Sequence, residues 1–170
     1  MTKSRKFTPM RSKSLARTVL AIDPGFDRIG VAVLEKDNLL FSDCIETDRK
    51  SPHRERLLTI GKAVEKIIKK WKPETLAIEK LFFNQNVTNA LKVSEARGVI
   101  IYEAAKAKLE IFEYSPQAIK IAVTGYGKAD KAQIVSMVRK LIALPSKKML
   151  DDEVDAIALG ITHLATRKGI

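Results

Sequence analysis

Residues 19–25 read Val-Leu-Ala-Ile-Asp-Pro-Gly, VLAIDPG. Four apolar residues run into Asp23, and Pro24-Gly25 then turns the chain. The pattern predicts a short buried β-strand that delivers a carboxylate to its carboxyl end. Open α/β sheets bind ligands at that rim, so Asp23 is the first candidate functional residue. Alone, it is equally well explained as a turn cap. The decision rests on what the remaining chain brings to the same edge.

Downstream, residues 29–34 predict a second strand, Lys36-Asp37-Asn38 a turn, and residues 39–47 a third strand, together an antiparallel meander. Ser51 is expected to cap a helix with Pro52 at its first position. Leu57, Ile60, Val64, Ile67 and Ile68 give that helix an apolar stripe. Residues 75–79, Thr-Leu-Ala-Ile-Glu, form a second apolar run ending in a carboxylate. Strand, helix, strand implies parallel pairing by a right-handed crossover. If the two acid-tipped strands are neighbours, Glu79 lies beside Asp23. A long helix over 87–109 follows, with Gly98 expected to permit close helix packing. Then come a strand over 110–114, a short helix over 117–123, and a flexible basic loop over 124–128. A helix capped by Asp130 runs to Leu141, and a last helix covers 150–167. The fold class is α/β, a five-stranded mixed sheet flanked by helices. Residues 18–170 form one domain behind a basic extension, 1–17.

The chain has 170 residues, enough for one domain with a real core. Lys and Arg total 31 against 20 acids, giving +11 and a pI near 9.8. Such a surplus points to a polyanionic partner. Nucleic acid is favoured over a membrane, because no apolar run is long enough to span and no anchoring amphipathic segment stands out. Lys3, Arg5, Lys6, Arg11, Lys13 and Arg17 sit in the first 17 residues with no acid among them. That segment is expected to be disordered alone and able to hold a phosphate backbone. Organellar targeting by it is the weaker reading. Cys44 is the only cysteine, so no intramolecular disulfide forms. A reducing compartment and a packing role for the thiol follow.

The last helix opens Asp151-Asp152-Glu153-Val154-Asp155. Acids at a helix start favour its positive pole. That explains Asp151 and Glu153 but not Asp155, which borders the apolar stripe in the second turn. Asp152 lies three residues before Asp155 and Asp151 four, and both spacings let side chains meet. Periodicity leaves the choice open and places Asp151 somewhat nearer the stripe. Converging acids with few histidines suit hard cations such as Mg²⁺ or Mn²⁺. Two ions can activate a water and stabilise the leaving oxygen in phosphodiester cleavage. In so basic a chain, a nuclease is the economical reading.

Four stretches, VLAIDPG, AIEKLFFNQNVTNALKVSEARGVI, EYSPQAIKIAVTGYGKADKAQIVSMV and DDEVDAIALGITH, occur in order from residue 19 nearly to the end. In them the chain resembles the RuvC-type Holliday junction resolvases of the RNase H-like superfamily. The resemblance implies that Asp23, Glu79, Asp152 and Asp155 are the catalytic and metal-binding acids. It selects Asp152 over Asp151, at a position that is His in some relatives. It implies that Phe82 stacks on or wedges apart junction bases, leaving Phe83 to the core, and that Lys120 and Lys131 lie near the DNA backbone. It implies Mg²⁺, with Mn²⁺ substituting and two ions per site. The substrate is a four-way DNA junction, cut by a homodimer through paired nicks of like-polarity strands. The products carry a 5′-phosphate and a 3′-hydroxyl. Cooperation with a branch-migration complex and a cytoplasmic, nucleoid-associated location also follow. The long helix, with Ala90, Ala96 and Gly98, is a candidate for the symmetric interface.

Three rivals remain. Another RNase H-like nuclease would process structured RNA. A phosphate-binding module of the actin and sugar-kinase type also begins with an apolar strand and an acidic turn, but needs a longer chain and a second phosphate loop. A catalytically idle junction-binding protein would keep the basic surface without turnover.

Overall fold

The computed structural model describes residues 18–81 and 87–167. Five strands form one sheet: β1 (Thr18–Asp23), β2 (Arg28–Glu35), β3 (Asn38–Glu46), β4 (Thr75–Glu79) and β5 (Glu110–Tyr114), in the order β3-β2-β1-β4-β5. β1–β2 and β2–β3 pair antiparallel, while β1–β4 and β4–β5 pair parallel. The mixed five-stranded sheet expected from the sequence is therefore present, with the two acid-tipped strands adjacent at its centre. The helices are α1 (His53–Trp71), α2 (Val87–Lys106), α3 (Pro116–Thr124), α4 (Lys131–Leu141) and α5 (Asp151–Arg167).

Strand alternation divides the core between the two faces of the sheet. Leu20, Ile22, Leu76 and Ile78 pack with Ile60 and Val64 of α1 and with Ala96, Ile100 and Ala104 of α2. Val19, Ala21 and Ala77 point the other way, into α3, α4 and α5. Both faces of β1 and β4 are covered, which is why these strands read as unbroken apolar runs. On the α5 side, His163 is buried with its ring nitrogens 3.0 Å from Thr75 Oγ1 and 2.9 Å from Tyr114 Oη. That pair ties the far end of α5 to β4 and β5.

Several local expectations change. Ser51 does not cap α1. Pro52 takes the cap position, its carbonyl accepting from the amides of Glu55 and Arg56, while Ser51 belongs to a turn built on Asp48. α2 ends at Lys106 rather than Leu109, because Lys108 adopts a left-handed conformation at φ 61° and the Leu109 amide folds back to the Ala104 carbonyl. Among the described residues nothing lies within 4 Å of a would-be Cβ on Gly98, so the close helix packing expected there is not seen. A would-be Cβ on Gly61 lies 3.1 Å from Val99 Cγ1. Ala96 is fully buried in the chain's own core and is unavailable to an interface. The 124–128 loop is held by hydrogen bonds: Thr124 Oγ1 accepts from the Tyr126 amide at 3.1 Å, and the Tyr126 carbonyl from the Ala129 amide at 3.1 Å. Asp130 caps α4 as expected, in a reciprocal box with Gln133. Among the described residues, no helix is long and apolar enough to cross a membrane.

Candidate active site

Asp23 and Glu79 end adjacent parallel strands. Ile22 pairs with Ile78, so the two acids stand next in register at the carboxyl edge. By alternation from Ala21 and Ala77, both side chains are on the α5 face.

The first turn of α5 is brought down onto this edge by a missing side chain. Gly30 of β2 pairs with Asp23 across the antiparallel ladder. A Cβ on Gly30 would fall 1.8 Å from the Asp152 backbone oxygen. Two turns further on, a Cβ on Gly160 would fall 2.4 Å from Leu34 Cδ1 and 3.3 Å from Ala21 Cβ. The helix thus rests closely on β1 and β2 along its length. That orientation turns Asp152 and Asp155 toward the edge and leaves the Asp151 side chain 70% exposed.

The electrostatics report the convergence. Burial, then the charges of Glu79, Asp155 and Asp152, push Asp23 from an ordinary 3.8 up to about 7. Burial and Asp155 push Glu79 up to about 7. Asp155 is also raised, chiefly by burial, with Lys131 opposing. Asp152 is among the charges acting on Asp23; Asp151 is not. The charge of Asp152 thus reaches both Asp23 and Asp155, and that of the more exposed Asp151 reaches Asp155.

Two basic side chains bracket the cluster. Lys131, at the start of α4, stands 3.1 Å from Asp151 Oδ2 and 3.6 Å from Asp155 Oδ2. Arg28, at the start of β2, stands 3.0 Å from Asp152 Oδ2. With these pairs formed, no three acid, histidine or cysteine side chains among the described residues close up into a metal cage. The donor set still fits a hard divalent cation. It is all carboxylate oxygen and partly buried, and burial followed by neighbouring carboxylate charge raises Asp23 and Glu79 above their ordinary pKa. Asp23, Glu79, Asp152 and Asp155 are the residues able to hold such an ion.

Of the expected nucleic-acid contacts, Lys131 reaches the cluster. Lys120 stands on α3, partly exposed, and is not among the charges acting on Asp23. Phe82 and Phe83 lie outside the described residues. Burial pushes the Cys44 thiol up to about 11, which agrees with a packing role rather than a nucleophilic one.

Sequence reading passed over four residues around the site. Gly30 carried a usable signal, since a glycine inside an apolar strand marks close backbone approach. Arg56 lies one turn before Ile60 on the buried face of α1, at 7% exposure. It donates to Thr47 Oγ1 at 2.9 Å and to the Phe26 carbonyl at 3.2 Å, pairs with Asp27, and lies 3.9 Å over the Phe26 ring. It therefore pins the loop by which the chain leaves Asp23. Arg97 donates to the Glu79 carbonyl at 3.2 Å and pairs with Glu113, fixing the end of β4. Arg28 gave no sequence signal.

Comparisons with known proteins bear on the family and the fold. The family model described as crossover junction endodeoxyribonuclease RuvC matches residues 19–163. The protein of that name from Desulfitobacterium hafniense is 44% identical over 149 residues, covering 85% of this chain and 90% of its own. The structure of Thermus thermophilus RuvC superposes with a TM-score of 0.80 at 30% identity, over 89% of this chain and 96% of the other. The same protein in complex with a Holliday junction substrate gives 0.82 at 29%, over 90% and 96%. The fold is therefore RNase H-like, and this chain belongs to the RuvC family of crossover junction endodeoxyribonucleases.

Proposed function

We propose that this protein resolves Holliday junctions by metal-dependent hydrolysis of DNA phosphodiesters, with Asp23, Glu79, Asp152 and Asp155 as the catalytic acids. The observation that carries the reading is the electrostatic state of the edge. The fold buries these acids close enough that Asp23 and Glu79 are both held near neutrality in pKa. A +11 chain that spends its counter-charge elsewhere has a use for such a site if cations and a polyanion meet there.

Bound Mg²⁺, with Mn²⁺ able to substitute and two ions in the complete site, supplies Lewis acidity and lowers the pKa of a bound water. The chain supplies position. Asp23 and Glu79 are rigid because each ends a central strand, and Asp155 and Asp152 because α5 rests on the sheet. Lys131, which touches Asp155, would meet a phosphate oxygen, and the partly exposed Lys120 the DNA backbone. Water attacks phosphorus and the bond to the 3′ oxygen breaks, leaving a 5′-phosphate and a 3′-hydroxyl. Two copies in a symmetric dimer would nick two like-polarity strands of a four-way junction, with Phe82 stacking on unpaired bases at its centre. Cooperation with a branch-migration complex and a cytoplasmic, nucleoid-associated setting fit the same reading. Residues 1–17 add six basic side chains available to phosphates.

Product mapping on an end-labelled mobile junction tests this, beside a linear duplex and a structured RNA. Symmetric, ligatable nicks confined to the junction and dependent on Mg²⁺ are expected. Preferential cleavage of RNA, or tight junction binding without cleavage, would refute it.

A further inference from the structure

We propose that Arg28 is a built-in counter-cation for Asp152 and competes with the divalent ion for that carboxylate. The inference stands on the metal-site reading above and concerns a residue outside the acidic pattern. The guanidinium Nη2 lies 3.0 Å from Asp152 Oδ2. That oxygen is buried and has no aligned hydrogen-bond partner. A buried carboxylate oxygen in that situation needs a cation close by.

The two ends of the pair differ in freedom. Asp152 is fixed, because its own carbonyl lies against the bare backbone of Gly30. Arg28 is two residues from Gly30 on the same strand, opposite Glu46 of β3, and its side chain is 50% exposed. The guanidinium can therefore swing into solvent while the carboxylate stays. On the other flank Lys131 meets Asp155 at 3.6 Å. The α5 acids are thus bracketed by two protein cations, Arg28 on Asp152 and Lys131 on Asp151 and Asp155. An incoming ion that takes the same Asp152 oxygen would have to displace the guanidinium. A half-exposed pair is worth a small factor in affinity, which makes Arg28 a positioning residue that sets the metal threshold without blocking the site.

Mn²⁺ binding to the full chain without DNA, followed by electron paramagnetic resonance, tests the competition. Arg28→Gln should bind Mn²⁺ about fivefold more tightly than wild type. Arg28→Met should do the same, and Arg28→Lys should stay near wild type. Asp152→Asn and the Arg28→Gln/Asp152→Asn double variant should bind equally, which a general loss of positive charge would not produce. Melting in EDTA establishes that each variant is folded. Equal or weaker binding by folded Arg28→Gln and Arg28→Met, or a gain that persists beside Asp152→Asn, would overturn the inference. A wild type that binds no Mn²⁺, or Asp23→Asn binding it as well as wild type, would instead overturn the metal-site reading beneath it.

Discussion

Replacing Asp23 by Asn should abolish nicking and, in the absence of metal, make the protein more stable. Asp23 lies at about 7 in the folded chain against an ordinary 3.8. Between those values the folded state holds a proton that the unfolded state has released. Stability therefore falls as pH rises through that window, and the loss is complete above pH 7. A difference of about three in pKa sets a ceiling of ~4 kcal/mol. Relaxation of the edge and the partial exposure of Asp23 should leave roughly half of that, ~2 kcal/mol. For a domain of this size that corresponds to a melting temperature about 6 °C higher. Asn carries no titrating proton, so its advantage should be largest at pH 8 and fall to about a quarter of that near pH 4.5. The assay is calorimetric melting in EDTA across that range. Excess Mg²⁺ should then narrow the gap, because an ion that binds only the folded state stabilises wild type by mass action. A variant that melts at or below wild type at pH 8 would refute the reasoning, as would a gap that does not shrink toward pH 4.5.

Three further outcomes follow from the geometry. Gly30→Ala drives a Cβ to 1.8 Å from the Asp152 carbonyl, where neither backbone can yield cheaply. It should cost about 3 kcal/mol or more and lower the melting temperature by about 10 °C, with Mn²⁺ binding weakened alongside; wild-type melting would show that α5 does not rest on β2. Arg97→Met removes the donor to the Glu79 carbonyl and the partner of Glu113. It should slow junction nicking about tenfold, the effect of losing ~1.5 kcal/mol of charge-assisted bonding at the site, with binding of the uncut junction in EDTA unchanged. Arg56→Met leaves Thr47 Oγ1 and the Phe26 carbonyl with one partner fewer in a buried place. It should destabilise by about 2–3 kcal/mol in chemical denaturation, and a loss under ~0.5 kcal/mol would show that the loop after Asp23 holds itself.

The sheet was legible because its central strands are buried on both faces and end abruptly in acids. Asp23 and Glu79 end neighbouring parallel strands, and the strand-helix-strand order dictated that neighbourhood. The α5 acids were legible only as a set. A helical wheel knows angular spacing but not the tilt at which a helix meets a sheet, and that tilt is fixed by Gly30 and Gly160 on opposite sides of the contact. Family resemblance selected Asp152 where periodicity leaned to Asp151, and the backbone approach of Asp152 to Gly30 is a contact that a helical wheel omits. Glu153 was read as a helix-pole acid; it is 3% exposed and paired with Lys147 at 2.6 Å, a contact joining a linker to a helix start. The same Lys147 donates to the Ser42 carbonyl of β3. Pairings of that kind have no sequence period, so no local pattern announces them.

The acids at this edge repel one another, and a fold that only sought stability would separate them. Two features keep them together without neutralising them. The backbone contacts are rigid, so the carboxylates cannot spread apart to relieve repulsion. The compensating cations are peripheral and partly exposed: Arg28 at 50% and Lys131 at 54%. A fully buried counter-ion would have held the acids ionised and satisfied, leaving little affinity for anything else. Half-exposed ones lower the repulsion enough for the chain to fold and yield when a stronger cation arrives. The burden on α5 is correspondingly large. It carries two of the four acids, packs its glycine into β1 and β2, and is anchored at its far end by His163. Loosening that far anchor should therefore reach the site. Thr75→Val keeps the side-chain shape of a buried residue and removes its hydroxyl from the His163 ring. If α5 moves as a rigid rod on the sheet, Mn²⁺ affinity should fall together with stability. If affinity stays at the wild-type value while melting drops, the first turn of α5 is held by Gly30 alone.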